Sequence, residues 1–443
     1  MNLVYGIHDK PKFGQMLIFA FQQVLAILAA TIVVPVIVGN GMSQSAALFG
    51  AGVGTIVYQL FTKFRSPVFL GSSFAFIGPM GAAFGGAVSA SAGFAGLIIG
   101  AAFAALVYVV IAIVVKIAGV KWIEKLMPAS VIGPTVALIG LSLAGAAIND
   151  VFSYGEKTTF GTSSYFIMNS TTWASLACAI VTLLVVVIVS CYGKKITKMI
   201  PFIIGILAGY AVAAVFTLCG IPVIDFSLFQ NMQIFAVPEF SFLTAMEGVK
   251  DVNAGYFATV IVAYVPVAFV VFAEHLADHK NLSSIIDSNL LENPGLHRTL
   301  LGDGVGSFVG AIFGGCPNTT YGESIGCVAI TRNASVITVT TAAIMCLVIS
   351  FFGPFVAFLD SIPGCVMGGV CITLYGFISV SGLKMIQKVD LNKNKNLFTV
   401  AAILIPGIGG MAMDIGHVYI SNIACALILG IIMNAILSVK EEE

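Results

Sequence analysis

From Gly14 to Gly39 the chain carries no charged residue. A helix rises about 1.5 Å per residue and the hydrocarbon core of a bilayer is about 30 Å thick, so about twenty apolar residues suffice to cross it. The run is long enough to cross, and too long for the apolar core of a cleavable leader. Comparable runs follow as far as residue 438. Only 9% of the 443 residues are charged, and 59% are hydrophobic, against roughly a quarter charged in a soluble domain. Such a chain has too little polar surface to face water, so it is expected to be an all-α membrane protein. Its formal net charge is zero, which gives no hold on nucleic acid. Its nine cysteines are scattered through apolar stretches without metal-ligand spacing and read as reduced, buried small side chains.

Runs between polar breaks predict fourteen segments, at 14–39, 44–62, 67–80, 87–117, 126–148, 173–192, 199–220, 255–278, 302–315, 317–331, 335–359, 363–383, 396–413 and 418–438. Two of them, 67–80 and 317–331, are short and broken by Gly and Pro, and 241–250 reads as interfacial. With the N-terminus placed in the cytoplasm, alternate loops collect every one of the 20 Lys and Arg residues except Lys157 and Lys250. Positive charge concentrates on the cytoplasmic side of membrane proteins, so both termini are expected there.

The chain also repeats itself. MPASVIGP at 127–134 resembles IPGCVMGG at 362–369, and SSFAFIGP at 72–79 resembles TTYGESIG at 319–326. Seven segments per half is an odd number, so the second half enters the membrane from the opposite side. That is the inverted-repeat plan of secondary transporters, in which paired short, interrupted segments point to the binding site.

Four acids fall inside apolar segments: Glu274, Asp278, Asp303 and Glu323. An acid at mid-bilayer costs about 2.5–3.5 kcal/mol on insertion scales, so it usually faces a cavity and works. Glu274 and Asp278 are four apart and share a helix face. His275 and His279 share another and could chelate a metal, but no third His or Cys cluster accompanies them and no metal is expected. His279 and Lys280 read more simply as a helix end meeting the cytoplasmic loop. Glu323 lies in CPNTTYGESIG, past a break at Pro317 whose free amides and following half-helix can bind polar atoms. A carboxylate beside free amides suits a flat heterocycle with N–H and C=O groups, which Phe74 and Tyr321 could flank. Asp303 reads either as an N-cap or as a coupling residue.

LGSSFAFIGP (70–79), FAEH (272–275), NPGLHR (293–298), PNTTYGESIG (317–326) and AITR (329–332) together resemble the nucleobase–ascorbate (nucleobase–cation symporter-2) transporters, bacterial uracil permease type. The resemblance spans roughly 12–438. It implies fourteen segments in two inverted repeats of seven, with short strands in segments 3 and 10. It implies a core domain at 1–125 and 251–360 and a gate domain at 126–250 and 361–443. It also implies a homodimer in a bacterial cytoplasmic membrane that imports a nucleobase, most simply uracil, with the proton as coupling ion and no cofactor. The substrate would be held by Glu274, Glu323, the amides of Phe74 and Gly322, Tyr321 and neighbouring Ser73. Glu274, Asp278 and Asp303 would serve proton coupling. Three positions depart from the family pattern: Asp278 stands where His is expected, Ser324 where Asn is expected, and Gln22-Gln23 where Gln-His is frequent.

Two carboxylates in one dry cavity are costly to keep charged together. A proton arriving with the substrate relieves that conflict, with Glu274 the expected carrier and Asp278 an acceptor one turn away. The rivals are a xanthine or purine symporter of the same family, an uncoupled facilitator, and an anion transporter on the same architecture. Acids in the site weigh against the last. No nucleophile–base pair or metal cluster marks an enzyme.

Overall fold

A computed structural model describes residues 3–119, 121–160, 163–194, 197–230, 232–415 and 419–439. The first half runs α1 (Phe13–Val38), α2 (Gln44–Phe61), β1 (Leu70–Ser72), a 3-10 turn (Phe74–Phe76), α3 (Ile77–Gly85), α4 (Ala90–Ala118), α5 (Lys121–Leu126), α6 (Ala129–Ser142), α7 (Ala144–Val151), β2 (Glu156–Phe160), β3 (Ser163–Ile167), α8 (Ser170–Tyr192), α9 (Pro201–Leu218) and α10 (Ser241–Gly248). The second half runs α11 (Ala254–Ile286), α12 (Leu296–Gly314), β4 (Asn318–Thr320), α13 (Gly322–Thr331), α14 (Val336–Ile349), α15 (Gly353–Asp360), α16 (Gly364–Ile386), α17 (Asn394–Ile408), β5 (Met413–Asp414), β6 (Tyr419–Ile420) and α18 (Asn422–Val439). The chain is mostly helical. Among the described residues, seven helical stretches are long and apolar enough to cross a membrane unaided, and several shorter apolar helices accompany them.

Local chemistry sets many of the ends. Side chains of Ser43, Ser89, Asn169 and Asn253 accept the amides of Ala46, Ala92, Thr172 and Tyr256, capping α2, α4, α8 and α11. Gly315, at φ +71°, ends α12 in a left-handed turn. Cys316 and Pro317 then lead directly into β4.

Two packing groups emerge. α2 packs on α12, α11 and α12 on α4, and α14 on α1 and α2. Separately, α16 packs on α6, α7 and α8, α8 on α9, and α17 on α6 and α18. α10, expected at the interface, packs on α4 and joins the first group.

The α2–α12 contact is the tightest seam of the first group. Gly302, Gly306, Gly310 and Gly314 recur every fourth position of α12; Gly302 meets Tyr58 and Phe61 of α2, and Gly306, Gly310 and Gly314 meet its Gly50 and Gly54. A Cβ on Gly306 would lie 2.6 Å from the Gly54 carbonyl oxygen, and one on Gly50 2.5 Å from that of Gly310. Only hydrogen fits there, the usual device for bringing membrane helices into backbone contact.

Four sequence expectations change. α11 continues to Ile286 rather than stopping near Asp278. α12 starts at Leu296, so Asp303 sits inside it and cannot be its N-cap. The segments expected at 126–148 and 335–359 are each divided, into α6 and α7 and into α14 and α15. Polar side chains that looked like helix ends, His279 and Asp303, are instead buried inside continuing helices, where neighbouring side chains bond to them.

Candidate functional site

The two broken segments meet. β1 and β4 pair antiparallel, with Leu70 opposite Thr320, Gly71 opposite Thr319 and Ser72 opposite Asn318. All six residues are buried. A pair this short leaves polar groups over, and a membrane interior offers no water to satisfy them. Neighbours do so instead. The Ser73 amide donates to Pro317 O at 2.8 Å, and the Tyr321 amide to Phe69 O at 3.2 Å. The Leu70 amide donates to Thr55 Oγ1 at 2.9 Å. Asn318 Nδ2 donates to Gly50 O at 3.1 Å, and Tyr321 OH to Ser72 O at 2.8 Å. A Cβ on Gly71 would come within 2.4 Å of the Tyr321 ring, so the strand is bare where the ring crosses it.

Each strand hands over to a helix too short to cross: α3 has nine residues and α13 ten. The first amides of a helix have no acceptor within it. Gly322 and Glu323 open α13, and Phe74 opens the turn before α3. These starts border a cavity of about 420 Å³, a size suited to a small molecule. One wall carries Phe74, Glu274, Asp278, Thr320, Tyr321, Gly322 and Glu323. The other is apolar, from Ile132, Val136 and Ile139 of α6, Phe202 of α9 and Leu374, Phe377 and Ile378 of α16. Among the described residues three carboxylates line the space, and no Lys, Arg or His does. Asp278 Oδ2 accepts from Thr320 Oγ1 at 2.6 Å. Phe74 meets Tyr375 edge-on, with ring centroids 6.1 Å apart.

Behind this wall lies a second polar layer. His275 Nδ1 is 2.7 Å from Asp303 Oδ2, and Nε2 is 3.0 Å from Thr299 Oγ1. Because Thr299 Oγ1 donates to Leu296 O at 3.0 Å, its one hydrogen is used, and His275 Nε2 must be the donor to it. The Nδ1 contact therefore holds one further proton, shared in role between imidazole and carboxyl. His279 Nδ1 lies 2.8 Å from the His275 carbonyl, which only accepts, so Nδ1 donates. Nε2 lies 2.7 Å from Tyr58 OH, whose hydroxyl also donates to Ser66 Oγ at 2.7 Å. The two rings stack with centroids 4.0 Å apart. His279 is thus no helix end at the interface; it is fully buried and ties α11 to α2.

The family model described as "Permease family" (Xan_ur_permease) matches residues 14–416. The chain belongs to this permease family. It is similar to the uracil permease of Bacillus caldolyticus, 36% identical over 98% of this chain and 94% of that one. It is also similar to that of Bacillus subtilis, 36% identical over 99% and 96%, and to that of Escherichia coli K12, 32% identical over 96% and 92%. The permease shares its fold with the transmembrane domain of the cyanobacterial bicarbonate transporter BicA, at TM-score 0.60 and 14% identity over 97% of this chain and 99% of that one. It likewise shares the fold of the murine anion transporter Slc26a9 in its inward-facing state, at TM-score 0.66 and 11% identity over 98% and 69%. The permease is an integral membrane transporter, not an enzyme.

Of the residues singled out in the sequence, Phe74, Glu274, Asp278, Tyr321, Gly322 and Glu323 come together on the cavity wall. Ser73 and Asp303 do not line it. Both are buried behind it, Ser73 beside the strand pair and Asp303 against His275. The permease also holds site neighbours to which the sequence reading gave no role. Thr320 fixes Asp278, and Gly71 makes room for Tyr321. Gln23 Nε2 donates to Ser324 Oγ, which also accepts the Phe69 amide at 3.2 Å. Gln23 and Ser324 are two of the positions that depart from the family pattern, and here they bond to each other.

Proposed function

We propose that this permease imports a nucleobase, best matched by uracil, together with a proton across a bacterial cytoplasmic membrane. The observation that carries the reading is the placing of Glu274 and Glu323, from two different helices, on one small cavity beside the first amides of α13, which have no acceptor within the helix. Ring N–H groups have carboxyl acceptors there, and ring carbonyls have amide donors. Phe74 and Tyr321 supply flat apolar area. The named uracil permeases among its relatives support the same substrate. Three acids without a basic partner in the lining weigh against an anionic substrate, although anion carriers share the fold.

In this reading α1–α4 with α10–α15 form the core and α6–α9 with α16–α18 the gate, as two inverted repeats making fourteen segments with both termini cytoplasmic. The two packing groups support that division. Glu274 takes a proton from outside with the substrate, the core shifts against the gate, and Asp278 receives the proton toward the cytoplasm. Asp303 acts through His275 rather than on the substrate. The working unit is a homodimer.

The test is uptake of labelled uracil into proteoliposomes under an imposed pH gradient. Accumulation above equilibrium, abolished by dissipating the gradient and by Glu274→Gln, is expected. Uptake that ignores the gradient and is unchanged in Glu274→Gln would sink the mechanism. Uptake that merely equilibrates would indicate a facilitator.

A further inference from the structure

Away from the central cavity, α5 and the end of α18 enclose a groove of about 360 Å³. Its position is informative. α4 ends at Gly119 and α6 begins after Pro128, so α5 joins the ends of two apolar helices and lies where membrane meets water. The floor is apolar, from Leu126, Ile431 and Ala435, and Lys125 stands at the rim.

The walls hold two polar atoms without a protein partner. Asn434 is 2% exposed. Its Nδ2 donates to Lys125 O at 3.2 Å, holding α18 to α5, but its Oδ1 accepts from no group in the structure. Trp122 Nε1 is likewise buried with nothing to donate to. Buried polar atoms are nearly always satisfied, and each exception calls for an explanation. Here an unused acceptor and an unused donor border the same groove, beside a cation and over apolar side chains.

We propose that this groove seats the headgroup of one phosphatidylethanolamine molecule. Its phosphate would accept from Trp122 Nε1 and lie near the Lys125 ammonium, its own ammonium would donate to Asn434 Oδ1, and its acyl chains would run along Ile431 and Ala435. Tryptophan and lysine are the side chains that anchor at this depth, and basic pockets between helices near the interface take lipid headgroups. A zwitterion fits better than a second anion, because the groove offers an unused acceptor, Asn434 Oδ1, as well as a donor and a cation. The inference rests on the protein being in a membrane and not on what it carries.

Native mass spectrometry of the delipidated full chain tests it, with phosphatidylethanolamine, phosphatidylcholine or phosphatidylglycerol of identical acyl chains added back. Phosphatidylethanolamine should be retained as a single equivalent at least fivefold better than phosphatidylcholine, whose head lacks an N–H. Trp122→Phe, which removes one N–H and keeps an aromatic ring, and Asn434→Leu should each bring retention down to the phosphatidylcholine level. Equal retention of the ethanolamine and choline lipids, or retention unchanged in Trp122→Phe, overturns the site. Phosphatidylglycerol held as tightly as phosphatidylethanolamine overturns the headgroup assignment. Uracil uptake by Trp122→Phe in proteoliposomes reports separately on the transport reading.

Discussion

Gln23 on α1 and Ser324 on α13 share one hydrogen bond directly behind Glu323. The family resemblance leads to an expectation of Asn where Ser324 stands and, frequently, His where Gln23 stands, and in this chain the two residues bond to each other. A swap at one position leaves a buried polar group without its partner, which costs about 1–3 kcal/mol. Gln23→His and Ser324→Asn are therefore each expected to lower uracil uptake several-fold, and the double variant to recover most of it. Initial uptake rates of the four proteins decide this, and strictly multiplicative losses would show that the residues are independent. The His275–Asp303 pair makes a related point. Removing one member of a buried charged or proton-sharing pair costs about 3–5 kcal/mol, whereas replacing both by apolar groups costs far less. Asp303→Leu should thus melt at a lower temperature in detergent than the double variant His275→Phe/Asp303→Leu. Glu274 and Glu323 were legible in the sequence because a carboxylate in an apolar run is expensive enough to need a reason. Thr320 was not, since a small neutral polar side chain in a membrane segment costs little and leaves no such mark, and Gln23 and Ser324 stood out only against the family pattern.

The helices form mainly because their backbones have no other partner in lipid, and this is why their existence was easier to read than their ends. Hydropathy located the broken segments at 67–80 and 317–331 correctly, since Gly and Pro interrupt a run visibly. Their joining as paired strands came from the family resemblance rather than from composition. Hydropathy misplaced the end of α11 and the start of α12, because buried His279 and Asp303 look like interface residues until their partners are known. The four-residue glycine spacing of α12 drew no sequence expectation, because only the facing helix shows what it is for. A methyl group on Gly306 would press on the Gly54 carbonyl at 2.6 Å. Gly306→Ala should lower stability by about 1–3 kcal/mol, the usual range for overpacking. Gly81→Ala, where a Cβ meets nothing within 4 Å, should leave the melting temperature unchanged or raise it slightly. Equal effects at the two glycines would remove the seam from the account of how α2 and α12 pack.

At the scale of the whole molecule the cavity is lopsided. Its gate-side wall comes from Ile132 and Val136 near the start of α6, Phe202 at the start of α9, and Ser381 and Met385 near the end of α16. In the sequence those ends adjoin Lys125, Lys198 and Lys388, all on the lysine-rich side of the membrane. Farther from that side, α16 closes against the site through the Tyr375–Phe74 contact. The positive-inside rule then predicts that the cavity is reached from the cytoplasmic side. Sequence alone had no access to this, because both halves of each helix are equally apolar and only their tilt about the site distinguishes open from closed. Ser381 is exposed to the cavity and offers a direct probe. In a Cys191→Ser/Cys219→Ser background, which removes the two exposed native thiols, Ser381→Cys should react quickly with a membrane-impermeant maleimide in inside-out vesicles. It should react at least tenfold more slowly in right-side-out vesicles. Uracil should slow the fast reaction, because the substrate site proposed at Glu274 and Glu323 lies in the same cavity. Faster labelling from the outside would reverse the assigned orientation, and labelling indifferent to uracil would separate this cavity from the substrate path.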